Sequence, residues 1–209
     1  MKFTDYQDLH QVQADYQIKY QEIEFVSECW TDVSIIFDVD FDFHKNCCNI
    51  DQSDIARREL MILPVLKELY QNCSGIKGKP GFWVQSKLEL DEKLSGTVDY
   101  IFTAQSELSK TLLSLPILIL ITQAKCNNFE QGWGHCLAAL VTADHLNHHS
   151  RPIYGIVTDG KLWEFGRLYN QVFTKNSASY TITDLEKLFC VLNGLFDLAT
   201  QDLKVEIAP

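Results

Sequence analysis

One short apolar run limits the folds open to this chain more than any other feature. From Leu115 to Asn127 the sequence reads L-P-I-L-I-L-I-T-Q-A-K-C-N. The run falls well short of the ~20 residues that a membrane helix needs, so it predicts a strand buried inside a sheet. Side chains two positions apart on a strand point the same way, so Gln123 and Lys125 are predicted to share a face, while Ala124 points away.

The rest of the chain alternates between helix and strand patterns. Apolar residues at helical spacing predict a helix that begins near Ser53 and is kinked at Pro64, and further helices over 129–146 and 183–198, the last capped by Thr183. Strands are predicted over 82–90, 97–103, 115–125, 152–158 and 162–168. The dipeptide Asp159-Gly160 predicts a tight hairpin between the last two of these strands.

The first quarter of the chain is distinct in charge. Residues 1–54 contain 3 Lys/Arg and 12 Asp/Glu, a balance of −9, out of −10 for the whole chain. A capping-box pattern at Thr4 predicts a short helix, and a strand is predicted after Tyr16. In the stretch S-I-I-F-D-V-D-F-D-F over 34–43, apolar and aspartate residues alternate, which predicts a strand with an acidic, solvated face.

Together these patterns predict one α/β domain with a mixed central sheet flanked by helices. Residues 1–54 are predicted to be an acidic N-terminal arm, a helix plus strands, packed on a core formed by 55–209. The N-terminus has no apolar signal region, and seven cysteines show no disulfide framework. A cytoplasmic protein with reduced thiols and no membrane association is therefore expected.

Three polar side chains stand out at the predicted strand ends. Asp99 is the lone acid in the strand G-T-V-D-Y, and burial of a carboxylate is unfavourable unless a cation or donors meet it. If that strand pairs with the apolar run, Asp99 lies beside Gln123 and Lys125. The residues then describe either a magnesium site with an ammonium beside it or a plain Asp99–Lys125 ion pair without a ligand.

With these motifs in order, residues 53–170 resemble the PD-(D/E)XK phosphodiesterase superfamily of restriction-endonuclease-like nucleases, in its compact prokaryotic branch. The resemblance rests on the helix bearing Glu59, the strand G-T-V-D-Y, the strand ending Q-A-K, the helix F-E-Q-G-W-G-H-C-L-A-A-L and the hairpin Y-G-I-V-T-D-G-K-L-W-E-F. It implies a restriction-endonuclease-like core. Restriction-type members are often dimers, so a homodimer is a further possibility.

The resemblance also implies residue roles. Asp99, Gln123, the Ala124 carbonyl and Glu59 would hold Mg²⁺ or Mn²⁺, and Lys125 would position the attacking water. Gln131 and His135 follow on the next helix, four positions apart, and would contact a phosphate or fix a water. Gln123 departs from the family, which usually has Glu or Asp there, and an amide oxygen brings no charge.

Three functions follow as expectations. The first is a magnesium-dependent nuclease that hydrolyses the phosphodiester bonds of nucleic acid. The second is a degenerate nuclease fold, weak or inactive in catalysis, that binds nucleic acid or protein. The third is an interaction protein whose acidic residues 1–54 engage a basic partner or cover the protein's own groove.

Overall fold

The computed structural model describes residues 2–72, 80–91, 94–104 and 113–201. The helices are α1 Leu9–Tyr16, α2 Ile35–Cys47, α3 Asp54–Arg57, α4 Leu63–Asn72, α5 Phe129–Leu146 and α6 Leu185–Thr200. The strands are β1 Lys19–Ile23, β2 Gly81–Glu89, β3 Ser95–Thr103, β4 Ile117–Gln123, β5 Ile153–Thr158, β6 Leu162–Tyr169, β7 Val172–Asn176 and β8 Tyr180–Thr181. Within these ranges, no helix is both long and apolar enough to span a membrane.

The eight strands form one mixed sheet in the order β1-β7-β6-β5-β4-β3-β2, with β8 paired to β6. The β4–β5 and β1–β7 pairs are parallel, and the other pairs are antiparallel. Strand β4 lies inside the sheet and is buried along its whole length, as its unbroken apolar run predicts. The predicted α/β class with a mixed, helix-flanked sheet is therefore confirmed.

Helices cover both faces of the sheet, and each face has its own apolar core. On one face, α2, α4 and α6 contribute Phe41, Leu66 and Phe189 to the core. On the other face, α1 and α5 contribute Val12 and Leu137. The acidic first quarter takes part in both cores, and its strand β1 extends the sheet beside β7.

The predicted strand over 34–43 is wrong, because these residues belong to α2. The Ser34 hydroxyl caps the helix by accepting from the Phe37 N–H at 3.2 Å, and a side-chain cap of this kind satisfies an otherwise unpaired backbone donor. Phe37 and Phe41 are one helical turn apart and both are buried. Of the apolar residues that alternate with the aspartates, only every second one is therefore buried in the core, while Val39 and Phe43 are exposed.

Two other predicted helix starts are displaced. The first helix begins at Leu9, where the Asp8 carboxylate accepts from the Gln11 N–H, and not at Thr4. The last helix is capped by Asp184, which accepts from the Lys187 N–H, and not by Thr183. In both cases an aspartate took the capping position that the sequence pattern assigned to a threonine.

The helix that begins at the Ser53 cap changes its winding before Pro64. Residues 58–62 form a π-helical segment in which the Leu63 N–H bonds to Arg58 O, between α3 and α4. Proline has no N–H, so the carbonyl four residues earlier, at Leu60, loses its helical donor. His44 Nδ1 lies 3.0 Å from Leu60 O and must donate there, because a carbonyl only accepts. The winding change puts Glu59 on a π-bulge.

Asn147 completes the pairing at the start of β4. Its side-chain amide donates to Ile117 O at 2.7 Å, and its Oδ1 accepts from Ile117 N at 2.9 Å. Asn147 is buried, so removing the amide leaves two buried backbone groups of β4 without partners.

We expect Asn147→Ala to lower the free energy of unfolding by about 3 kcal/mol, because each unpaired buried group costs ~1–3 kcal/mol. Urea unfolding followed by circular dichroism measures this change. Asn46→Ala, at an exposed position of α2, is the matched control and should remain within about 0.5 kcal/mol of the parent. Equal effects of the two substitutions would contradict the proposed pairing role.

Candidate functional site

The candidate site lies where β3 and β4 stop pairing as strands. Their ladder runs from Thr103 and Ile117 to Tyr100 and Ile121. One residue beyond it, Asp99 Oδ2 accepts from the Gln123 backbone N–H at 2.9 Å. A side-chain carboxylate thus replaces the backbone acceptor that a continued ladder would supply, and the two strands separate around Asp99.

The neighbouring strand β2 holds the other oxygen of the same carboxylate. Gln85 has a positive φ of 50°, an unusual conformation for a residue with a side chain inside a strand. Its Nε2 donates to Asp99 Oδ1 at 2.7 Å. Both oxygens of Asp99 therefore accept a protein hydrogen bond, and each keeps a further lone pair for another ligand.

A cavity of about 360 Å³ opens at this point. Its charged or titratable lining residues, among those the structure describes, are Lys2, Lys87, Asp99, Lys125 and His135. Asp99 is thus the one carboxylate in the described lining, against three lysines. Such a lining attracts an anionic group more strongly than a free cation.

The three lysines differ in their partners. Lys87 forms an ion pair with Glu89 on the same strand. Neither Lys2 nor Lys125 forms a salt bridge with any residue that the structure describes. Their ammonium groups are therefore the ones available to an anionic ligand in the cavity.

Lys125 reaches the cavity from a turn, which differs from the prediction that β4 continues to residue 125. The strand ends at Gln123, and Lys125–Asn127 form a 3-10 turn in which Cys126 has a φ of 51°. The turn connects β4 to α5. Lys125 is exposed, and it borders the same cavity as Asp99 even though it is not on the strand.

Gln123 is held from a third direction. Its side chain is buried, and its Nε2 donates to the backbone carbonyl of Asp54 at 2.6 Å. Asp54 Oδ1 in turn accepts from the Cys126 N–H at 3.1 Å. Gln123 therefore ties the end of β4 to the start of α3, a role that needs an amide donor and that an ionised glutamate could not fill.

His135 lies on α5 and borders the cavity. Burial lowers the pKa of its ring and the Lys125 ammonium lowers it further, while backbone groups of Thr4 and Tyr6 and the Asp99 carboxylate oppose the shift. Its Nε2 is buried and has no hydrogen-bond partner within the described residues. The ring is therefore neutral at neutral pH, beside the charged groups of Asp99 and Lys125.

The lowered pKa of His135 predicts a pH dependence of stability. Below the unfolded-state pKa of 6.5, the unfolded chain binds a proton that the folded ring resists, so the free energy of unfolding falls as the pH drops from 6.5 to the folded pKa. We expect His135→Gln to lose less stability than the parent between about pH 7.5 and 5. Thermal unfolding at both pH values measures this, and parallel losses in the two proteins would contradict it.

The other two predicted residues lie away from the cavity lining. Glu59 is on the π-helical segment, with its carboxylate 3.0 Å from Arg58 Nε. Burial raises the pKa of the Tyr100 phenol, and the Glu59 charge raises it further, which places Glu59 near the ring. Gln131 donates from Nε2 to Gln7 Oε1 at 3.0 Å. The structure thus brings Asp99, Gln123, Lys125 and His135 to one cavity, and leaves Glu59, Gln131 and Ala124 outside its lining.

Sequence reasoning missed Lys2, Gln85 and Lys87. Lys2 arrives because the N-terminal segment forms a parallel bridge with Ser95. Gln85 and Lys87 arrive because β2 pairs with β3. The β2 pattern itself was visible in the sequence, but the partner strand was not. The positive φ at Gln85 could not be predicted, because this conformation is usually indicated by a glycine or an asparagine and residue 85 is a glutamine.

The donor set allows a test of the magnesium prediction. Magnesium is commonly held by one or two carboxylates, with waters and a substrate phosphate completing its shell. Asp99 and Gln123 border the cavity and meet that minimum with a single negative charge, whereas Ala124, the third predicted ligand, is buried and is not among the lining residues. Among the described residues there is no group of three or more His, Cys, Asp or Glu side chains that could chelate a metal. The residues fit an ion that depends on its substrate phosphate for most of its affinity.

Comparison of the sequence with protein-family models and with curated proteins gave no match.

Proposed function

We propose that this protein is a restriction-endonuclease-like phosphodiesterase that cleaves nucleic acid with the help of Mg²⁺ or Mn²⁺. The observation that carries the proposal is the meeting of Asp99 and Lys125 at one cavity where β3 and β4 separate. A carboxylate and an ammonium at the lining of one cavity combine a cation ligand with a group that can orient an attacking water.

The residues divide into three roles. Asp99, with the Gln123 amide oxygen, would hold the ion, which when bound polarises a phosphodiester and offsets its negative charge. Lys125 donates hydrogen bonds to the attacking water and directs a lone pair at phosphorus. Lys2 attracts the phosphate.

His135 adds a neutral donor or acceptor at Nε2, which has no partner among the described residues. Its lowered pKa keeps the ring uncharged at neutral pH. A neutral ring can hydrogen-bond either a phosphate oxygen or the water, whereas a charged ring could only donate.

A second candidate function is binding of nucleic acid without cleavage. It is favoured by one observation, the Gln123 amide that donates to Asp54 O and brings no charge to the site. The lysines then bind the sugar-phosphate backbone electrostatically, and affinity falls steeply with salt. In this case Asp99 has a structural role, because its hydrogen bonds to Gln85 and Gln123 link β3 to β2 and β4.

The two functions are separated by assaying fluorescent DNA and RNA oligonucleotides, single-stranded and duplex, with Mg²⁺, Mn²⁺ or EDTA. The nuclease proposal expects metal-dependent cleavage that Asp99→Asn and Lys125→Ala each reduce by roughly a hundredfold or more. Lys19→Ala, on the distant edge strand β1, is the charge-matched control and should leave cleavage unchanged.

The outcomes assign the function directly. Binding that is independent of metal, occurs without cleavage and is weakened by Lys125→Ala but not by Lys19→Ala selects the binding module. A protein that is folded by circular dichroism but neither binds nor cleaves any of the oligonucleotides rejects both proposals.

A further inference from the structure

Helix α2 has two apolar faces, one packed against the core of the domain and the other exposed. Phe37 and Phe41 stack at 5.0 Å between ring centroids, and Phe37 meets the edge of Phe189 at 5.2 Å. Both rings are buried in the core that α2 shares with α4 and α6. This contact attaches α2 to the domain and turns its opposite side outward.

The outward side carries a row of large apolar side chains. Ile35, Val39 and Phe43 follow one another at intervals of four residues, with Ile36 beside them, so they form one stripe along the helix. Their exposed fractions are 81%, 68%, 56% and 83%, in that order for Ile35, Val39, Phe43 and Ile36. Burial of these side chains by a partner would therefore be favourable. A contiguous exposed apolar stripe of this kind commonly marks an interaction surface.

Aspartates border the stripe on both sides. At 3.6 residues per turn, Asp38 and Asp42 lie along one edge and Asp40 along the other. Asp42 pairs with Lys45 at 2.7 Å, and Asp40 Oδ2 lies 3.9 Å from His44 Nε2. With three aspartates and one lysine, α2 has a net charge of −2 when His44 is neutral.

We propose that the outer face of α2 is a docking site for a basic amphipathic helix of another protein. The partner's apolar side chains would cover the stripe formed by Ile35, Ile36, Val39 and Phe43, and its flanking lysines or arginines would pair with the aspartates. This arrangement removes the apolar surface from water and complements the charge on both edges. It is independent of the phosphodiesterase proposal, because it uses none of the residues of the cavity.

The same charges argue against the other occupants. A second copy of α2 across a twofold axis would place aspartates along both edges of both helices, and like charges facing each other across an interface cost several kcal/mol. Nucleic acid phosphates and anionic lipid headgroups are repelled for the same reason. A basic protein segment is the occupant that satisfies the apolar stripe and its acidic borders together.

The test uses two labelled synthetic peptides of about 18 residues, long enough to form five helical turns. Both have leucine at helical spacing on one face. One has lysine at the flanking positions and the other has glutamate. Fluorescence anisotropy with the full-length protein should show roughly tenfold tighter binding of the lysine peptide, a difference of about 1.4 kcal/mol.

Variants assign the binding to α2. Val39→Ser and Phe43→Ser, both at exposed positions, should each weaken the lysine peptide by roughly tenfold or more. Asp38→Asn combined with Asp40→Asn should remove the preference for lysine over glutamate. Val84→Ser, an exposed apolar position on β2, should bind like the parent, and circular dichroism should show that every variant is folded.

Several results would overturn the proposal. Equal binding of the two peptides, or binding that Val39→Ser leaves unchanged, removes the basic helix as the occupant of α2. A dimer in multi-angle light scattering that Val39→Ser dissociates would assign the stripe to a second copy. Binding to phosphatidylglycerol vesicles that Phe43→Ser abolishes would assign it to a lipid surface.

Discussion

Replacing Gly194 with alanine should lower the free energy of unfolding by about 3 kcal/mol or more, since overpacking against backbone is among the largest single-residue effects. Gly194 lies within α6, where it faces the chain leading from β1 to α2. A Cβ at this position would stand 1.9 Å from Ser27 O and 3.1 Å from Ser27 C. The obstacle is backbone, so no side-chain rotation relieves it.

The approach of this segment to α6 is also fixed by hydrogen bonds. The Cys29 N–H donates to Cys190 O at 2.9 Å, and Asn193 Nδ2 donates to Cys29 O at 3.3 Å. A shift of the segment that made room for the new methyl group would stretch these bonds. The substitution therefore either produces a clash with Ser27 O or breaks the hydrogen bonds between Cys29 and α6.

Elsewhere in a helix the same change would be favourable by up to ~1 kcal/mol, because alanine has the higher helix propensity. Gly132→Ala on α5 is the matched control, since its Cβ would meet chiefly the Val157 Cγ1 at 2.8 Å and not backbone at such range. Urea unfolding should rank Gly194→Ala as the more destabilised by at least about 1 kcal/mol. The reverse order would show that residues 26–29 do not pack on α6 as closely as the structure has them.

The central strands were predictable because their sequence leaves few alternatives. β4 is apolar at every position from Ile117 to Ile121, and a short, unbroken apolar run is typical of a strand buried on both sides. α5 was predicted with the observed bounds. The hairpin at Asp159 was predicted as well, and there the Asp159 carboxylate accepts from the Lys161 and Leu162 N–H groups.

The acidic segment misled the prediction because two periodicities coexist in it. In S-I-I-F-D-V-D-F-D-F, apolar and aspartate residues alternate as in a half-buried strand, yet Phe37 and Phe41 also satisfy helical spacing. Tertiary contact decides between the two, because α2 can bury that pair against Phe189 of α6. Local pattern carries no information about a helix that lies 150 residues further along the chain.

The sequence indicated some of the residues that line the cavity, but not those contributed by the N-terminal segment and by β2. Asp99, Gln123 and Lys125 were identified from the strand ends and His135 from the helix that follows, and all four border one cavity. Lys2 and Gln85 come from segments whose contacts with β3 are set by the packed domain. Gln123 itself was identified as a departure from the family pattern, but its bond to Asp54 O was not visible in the sequence.

Gln123→Glu should make the free energy of unfolding of the protein depend on added metal. It should also raise any nuclease activity roughly tenfold, which is about 1.4 kcal/mol of transition-state stabilisation. The change keeps the volume but replaces the donor to Asp54 O by a carboxylate, on the residue whose backbone N–H bonds to Asp99. In EDTA the variant should be about 2 kcal/mol less stable than the parent, because a buried carbonyl loses its partner and two acceptors face each other. Magnesium or manganese should restore stability by binding to the new carboxylate. A metal concentration of 100 times Kd adds about 2.7 kcal/mol to the free energy of unfolding.

Two matched variants separate this effect from charge alone. Gln131→Glu makes the same chemical change at an amide outside the cavity lining, bonded to Gln7, and should show neither the metal-dependent stability nor the gain in cleavage. Lys125→Ala in the Gln123→Glu background should keep the metal-dependent stability and lose the gain in cleavage, because the water has then lost the group that orients it. Thermal unfolding with and without metal gives the first readout, and oligonucleotide cleavage gives the second. A Gln123→Glu protein that is destabilised in EDTA, gains nothing from either metal and cleaves nothing would leave Gln123 as a structural amide and the cavity as a binding site for phosphate.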